Sequence, residues 1–113
     1  MSETSAASRP AKYRVGMGQI LVEGGKPNDN LDRARAAIAE AARQGCRLIV
    51  LPECLDIGWT DPSARALAQP IPGSHTAILA AAAVEHRIWV AAGLVERSGD
   101  RLYNAAVLIS PEG

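Results

Sequence analysis

One short apolar run constrains the fold more than any other feature of this sequence. Residues 47–51 read Arg-Leu-Ile-Val-Leu, and the run is bounded by Gly45 and Pro52. A continuous apolar run of this length between turn residues is typical of a strand buried on both faces, as in the sheets of α/β proteins. Side chains that follow such a strand lie at its carboxyl end, where α/β proteins bind ligands. The sequence therefore predicts an α/β fold with a site just after Pro52.

The segments around this run alternate between helix and strand patterns. We expect Asn28 or Asn30 to cap the first helix, Gly45 to end it and Ser74 to cap the last helix. This order of elements predicts a sheet with mixed pairing. The patterns cover residues 27–44, 63–68 and 75–86 for helices, 13–22, 88–96 and 101–109 for further strands, and 98–100 for a hairpin turn.

The composition fits one globular domain and argues against several classes of partner. The chain has 113 residues, of which 48% are hydrophobic. Twelve Lys and Arg balance twelve Asp and Glu, and this zero net charge disfavours nucleic acid and anionic membranes as partners. No run approaches the roughly 20 apolar residues that span a bilayer. Residues 1–12 are small and polar without a signal-peptide core, so we expect a disordered tail and a cytoplasmic protein.

Glu53 is the strongest candidate for a functional residue, because it directly follows the apolar run and Pro52. The alternative is a solvated loop carboxylate without a role. Cys54 is adjacent, but neighbours in an extended segment point to opposite faces, so the favoured interpretation of Cys54 is a buried, inert thiol. Cys46 receives the same interpretation. A strand between the two cysteines separates them by about 26 Å, which excludes a disulfide.

The remaining candidates have structural interpretations that compete with functional ones. His75 and His86 lie about 16 Å apart along one helix, so they do not share a metal, and we expect a surface or capping role for each. Gly16 and Gly18 lack the third glycine of a dinucleotide fingerprint and are expected at a close backbone approach. Trp59 lines a pocket or fills the core.

Two features lie near the carboxyl end. Tyr103 and Asn104 open the last strand, and the favoured interpretation is that their polar groups satisfy nearby backbone. Residues 110–113 read Ser-Pro-Glu-Gly, which is turn chemistry placed after an apolar strand. We therefore expect a chain that is truncated at this turn.

The ordered set of these motifs resembles the nitrilase superfamily of carbon-nitrogen hydrolases. The resemblance covers nearly everything from Tyr13 onward, and the Pro-Glu pair after an apolar strand is its most specific element. It implies that residues 13–113 form the amino-terminal part of an α-β-β-α sandwich, with helices on one face of a mixed sheet. The motifs are residues 14–19, the helix start at 30–31, the strand and turn at 48–53, Gly58-Trp59, Pro72-Gly73 and residues 103–109.

The resemblance also implies a chemistry. In this family a glutamate is the general base, a lysine stabilises the tetrahedral intermediate and a cysteine attacks the amide or nitrile carbon to form a thioester. Glu53 matches the glutamate, Trp59 is expected to contact substrate, and Tyr103 and Asn104 to support the site. The family's lysine and cysteine have no counterpart here, so we expect the 113 residues to be inactive alone. A complete form would need no metal or organic cofactor and would form homo-oligomers.

Several alternatives stay open. The sequence does not choose between linear amides, carbamoyl compounds and nitriles as small-molecule substrates. A different class of function is a non-catalytic remnant or binding module that pairs with a partner chain through an open edge strand. A self-sufficient flavodoxin-like ligand binder is a third option, disfavoured by the missing phosphate loop.

Overall fold

The computed structural model describes residues 12–113, and its centre is one four-stranded sheet. The order is β1-β2-β3-β4, in which β1–β2 and β2–β3 pair parallel and β3–β4 antiparallel. This confirms the predicted α/β fold with mixed pairing. The predicted tail lies outside the described residues, except for Lys12. The strands are β1 (Val15–Met17), β2 (Leu48–Val50), β3 (Trp89–Ser98) and β4 (Arg101–Ile109).

Three helices connect these strands, α1 (Pro27–Arg43), α2 (Ala64–Leu67) and α3 (Ser74–His86). The two long helices cover one face of the sheet, as the resemblance implied. Their small residues, such as Ala34 and Ala83, are fully buried and let the helices approach each other and the sheet closely. No helix within residues 12–113 is long and apolar enough to cross a membrane. The largest buried side chains of this core are Leu31, Ile38, Ile49, Leu55, Leu79, Ile88, Val90 and Leu94.

The helix ends confirm one predicted cap and correct two others. Gly45 has φ +82° and ends α1 as expected, with its N–H on the Ala42 carbonyl. Neither Asn28 nor Asn30 caps the start of α1, because Lys26 is the N-cap residue and makes no side-chain cap. Ser74 is already helical, and Gly73 takes the N-cap position.

The glycines of the first strand confirm the expected close approach. A Cβ at Gly16 would lie 3.3 Å from both the Ala41 Cβ and the Cys46 Sγ. A Cβ at Gly18 would lie 2.5 Å from Leu51 Cδ2. These positions stay small because α1 and the β2 side chains pack directly against β1.

Two strand predictions were wrong in extent. β1 pairs over three residues rather than residues 13–22, and the chain turns away where the Ile20 N–H bonds back to the Gly18 carbonyl. The run after Gly45 is buried on one face only, since Val50 is 44% exposed. The second face of the sheet carries no covering element within residues 12–113. We call this surface the open face; its large exposed residues are Tyr13, Val15, Met17, Val50, Trp89 and Leu108.

Candidate active site

Glu53 lies just past the carboxyl end of β2, in a turn that is bonded to β3. The Gly93 N–H donates to the Pro52 carbonyl at 3.1 Å, and the Leu55 N–H donates to the Gly93 carbonyl at 3.0 Å. Gly93 allows this contact because a Cβ there would lie 2.3 Å from the Glu53 Cα. Two backbone hydrogen bonds and one missing methyl group therefore fix the backbone of Glu53 over β3.

The side chain of Glu53 is exposed and lies next to Asn104 of β4. The Asn104 Nδ2 donates to the Glu53 Oε2 at 3.4 Å, and the Cys54 Sγ donates to the Asn104 Oδ1 at 3.7 Å. The expectation that Glu53 and Cys54 point apart was wrong, because Cys54 adopts φ +49° and the chain turns there. Asn104 contacts these two side chains rather than the backbone that the sequence suggested.

Glu53 and Asn104 both line a groove of about 410 Å³ on the open face. Its floor is made of small side chains, including Ala91, Gly93 and Ala106. Small floor residues leave room above the sheet for a reacting group beside the carboxylate.

Cys54 is 3% exposed. Burial raises the pKa of its thiol, and the negative charges of Glu53 and Asp56 raise it further. A thiol held neutral at pH 7 is a poor nucleophile, which agrees with the inert interpretation of Cys54.

Alkylation of Cys54 is expected to be slow in the folded chain. At pH 8 the reaction with iodoacetamide should be at least about tenfold slower than in urea, because the raised pKa and the burial both reduce accessible thiolate. Raising the pH through the ordinary range of a thiol should accelerate the unfolded chain first. Mass spectrometry of the Cys54 peptide after timed quenching measures both rates. Equal rates in the folded and unfolded chain would contradict this assignment.

Trp59 is 66% exposed and lines a cavity of about 270 Å³ next to Cys54 and Asn104, so it does not fill the core. Leu102 and Tyr103 line the same cavity from β4. Tyr103 thus lies beside the candidate site. The Asp61 carboxylate is also at this cavity, and hydrogen bonds from the Ser63 side chain and backbone lower the pKa of Asp61. The cavity combines an aromatic wall with a charged rim.

The prediction for His75 was wrong. His75 is 8% exposed, and its Nδ1 lies 2.9 Å from the Oδ2 of Asp56, which is fully buried. Sequence reasoning missed Asp56 altogether; its position between the apolar Leu55 and Ile57 was the only local signal of burial. His86 is at the surface beside Glu85, as expected.

Cysteines and metal ligands add no further site. Cys46 and Cys54 are both free, as predicted. Within residues 12–113, no three His, Cys, Asp or Glu side chains converge on a position that could hold a metal ion.

A sheet with polar side chains grouped beyond the carboxyl end of a parallel strand defines an α/β protein with a crevice site. The comparisons with known proteins identify the class more closely. The carbon-nitrogen hydrolase family model matches residues 14–113, and the chain belongs to this family. This confirms the resemblance that the sequence motifs carried.

The chain is 39% identical over 92 residues to a nitrilase of Pyrococcus abyssi, covering 78% of this chain and 35% of that protein. It is 35% identical over 104 residues to an omega-amidase of Danio rerio, covering 91% and 37%. The chain thus spans little more than a third of these relatives.

Solved structures show the same fold. A CN-hydrolase superfamily protein from Xanthomonas campestris matches with a TM-score of 0.80 at 20% identity, over 91% of this chain and 38% of that one. An amidase from Nesterenkonia sp. matches with a TM-score of 0.79 at 22% identity, over 92% and 40%. The sheet and its two long helices therefore correspond to a part of a nitrilase-superfamily domain.

Proposed function

We propose that Glu53 is the general base of a carbon-nitrogen hydrolase that cleaves small-molecule linear amides, carbamoyl compounds or nitriles. The observation that carries the proposal is the placement of Glu53, which is clamped to Gly93 by its backbone and open to the groove by its side chain. The names of the relatives, nitrilase and omega-amidase, support this range of substrates.

The proposed reaction needs three groups around one carbon. The Glu53 carboxylate accepts the proton of a cysteine thiol, the sulfur attacks the amide carbon, and ammonia leaves as a thioester forms. Water then attacks the thioester, which releases the acid and returns the thiol. A cation or backbone donors stabilise the charge that develops on the oxygen during both attacks.

Glu53 is the one member of this set that the chain supplies. Both lysines, Lys12 and Lys26, precede Glu53 in the sequence, and Cys54 is buried with a raised pKa. The amidase of Nesterenkonia has an active-site cysteine that adds to acrylamide. We assign the nucleophile and the cation of the complete site to the part of the relatives that this chain does not span.

A chimera tests the proposal. Residues 12–113 are joined to the portion of the Pyrococcus abyssi nitrilase that they do not match, and ammonia release is measured with amides, carbamoyl compounds and nitriles. We expect release that iodoacetamide abolishes, and none from the 113-residue chain alone. A folded chimera that releases no ammonia from any of these compounds would contradict the proposal.

Two further features belong to the proposed protein. The free thiols of Cys46 and Cys54 support a reducing, cytoplasmic setting. We also propose that the complete form is a homo-oligomer, and sedimentation of the chimera measures this.

The open face favours a second candidate function, a binding module that pairs with a partner chain. Six large apolar side chains on this face are between 43% and 77% exposed, and an apolar patch of this extent is typical of an interaction surface. An inactive chimera, together with a 113-residue chain that sediments only as a complex, would favour this alternative.

A further inference from the structure

Three buried polar side chains lie behind the turn that carries Glu53. Asn30 of α1 and Asp56 of the turn are fully buried, and His75 of α3 is 8% exposed. We call these three residues the polar hub. Burying polar groups costs free energy unless each finds hydrogen-bond partners, and within residues 12–113 no buried side-chain nitrogen or oxygen lacks one.

Asp56 binds three donors through its two carboxylate oxygens. Its Oδ1 accepts the N–H of Ile57 and the N–H of Val95 in β3, both at 3.0 Å, and its Oδ2 lies 2.9 Å from the His75 Nδ1. An ionised carboxylate accepts hydrogen bonds but donates none, so His75 holds a proton on Nδ1. The carboxylate thereby joins the turn to β3 and to α3.

Asn30 holds the same turn from the opposite side. Its Nδ2 donates to the Asp56 carbonyl at 2.9 Å and to the Glu23 carbonyl at 2.8 Å, while its Oδ1 accepts the Glu23 N–H at 2.8 Å. The polar hub therefore ties the turn to α1 and to the loop before α1.

The hub acts on Glu53 through a short, closed turn. The Gly58 N–H donates to the Cys54 carbonyl at 2.8 Å, so residues 54–58 form one hydrogen-bonded loop with Asp56 at its middle. Glu53 directly precedes this loop. A displacement of Asp56 is transmitted through two peptide units to Glu53 and to its contact with Asn104.

We infer that Asp56 and His75 are positioning residues, which fix the turn so that the Glu53 carboxylate stays beside Asn104 and over the groove. The inference rests on the proposed function only in so far as Glu53 is the base. Neither residue touches the groove, and each acts through the turn. A positional error of about 1 Å in a reacting group can cost about 100-fold in rate.

The test compares three replacements of His75 in the 113-residue chain. His75→Asn keeps an N–H donor near the place of Nδ1, His75→Gln keeps the polarity but moves the donor one bond further out, and His75→Leu removes it. The readout is the Asn104 side-chain NH2 resonances and the backbone amides of Glu53 and Gly93 in nitrogen-15 NMR spectra. We expect native positions in the Asn variant and displaced positions in the Gln and Leu variants.

The same variants in the chimera separate positioning from packing. We expect the Leu variant to lower kcat by about 100-fold with KM nearly unchanged, and the Asn variant to restore most of it. Native Glu53 and Asn104 resonances in a folded Leu or Gln variant would overturn the inference. So would equal losses in the Asn and Leu variants, which would indicate packing alone.

The two proposals fail in different ways. If the hub variants move the Asn104 resonances while the unmodified chimera is inactive, the positioning stands and the assignment of Glu53 as the base fails. If the Leu variant does not fold, the Gln and Asn variants still decide, because both keep a polar side chain opposite Asp56.

Discussion

Replacing Glu53 by Gln is expected to lower kcat for ammonia release by the chimera by about 100- to 10,000-fold, the usual contribution of a general base. Gln has the size and shape of Glu and still accepts a hydrogen bond from the Asn104 Nδ2, but its amide takes no proton from a thiol. The loss is therefore chemical rather than structural, and the melting temperature of the variant should equal that of the parent.

The matched control is Glu85→Gln on the exposed surface of α3, which is 71% exposed and lies beside His86. It removes the same charge far from the groove and should leave kcat unchanged. Full activity in the Glu53 variant would remove Glu53 from the mechanism. Equal losses in both variants would assign the effect to net charge rather than to the base.

The parts of the fold that the sequence predicted correctly depend on local signals. The hairpin is the clearest case, because the Gly99-Asp100 turn has Gly99 at φ +63° and sets the register Ser98 to Arg101. The strand predicted over residues 101–109 has those bounds in the structure. The end of α1 at Gly45 was also predictable, since a positive φ there requires little more than the right residue.

The errors arose where contacts between distant segments decide the structure. Asn30 looked like a helix cap, yet it serves a turn 26 residues away through the Asp56 carbonyl. His75 looked like a surface residue, yet it pairs with Asp56 across 19 residues. No periodicity or cap preference encodes such pairs, because they form only after the helices pack on the sheet.

The candidate site was predictable to the same degree. The apolar run located Glu53 at the carboxyl end of a strand, and the structure places it there. The sequence could not show that Asn104, 51 residues further on, contacts both Glu53 and Cys54. It also overestimated the burial of Val50, since an apolar strand pattern does not reveal whether its second face is covered within the same segment.

Replacing Gly93 by Ala is expected to destabilise the fold and to displace Glu53 at the same time. The added Cβ would lie 2.3 Å from the Glu53 Cα, 2.9 Å from the Glu53 Cβ and 3.1 Å from the Cys54 nitrogen. These atoms belong to a turn that is bonded to Gly93 itself, so the turn must lift from β3. Overpacking of this kind lowers the free energy of unfolding by about 1–3 kcal/mol, which urea titration measures.

The comparison with Gly16→Ala isolates the effect on Glu53. A Cβ at Gly16 meets the Ala41 and Cys46 side chains at 3.3 Å, on the helix side of the sheet and away from the groove. We expect a smaller loss of stability there and an unchanged kcat in the chimera, whereas the Gly93 variant should lose both. If the Gly93 variant kept its kcat, the polar hub alone would hold the carboxylate in place, and the contact with β3 would serve stability only.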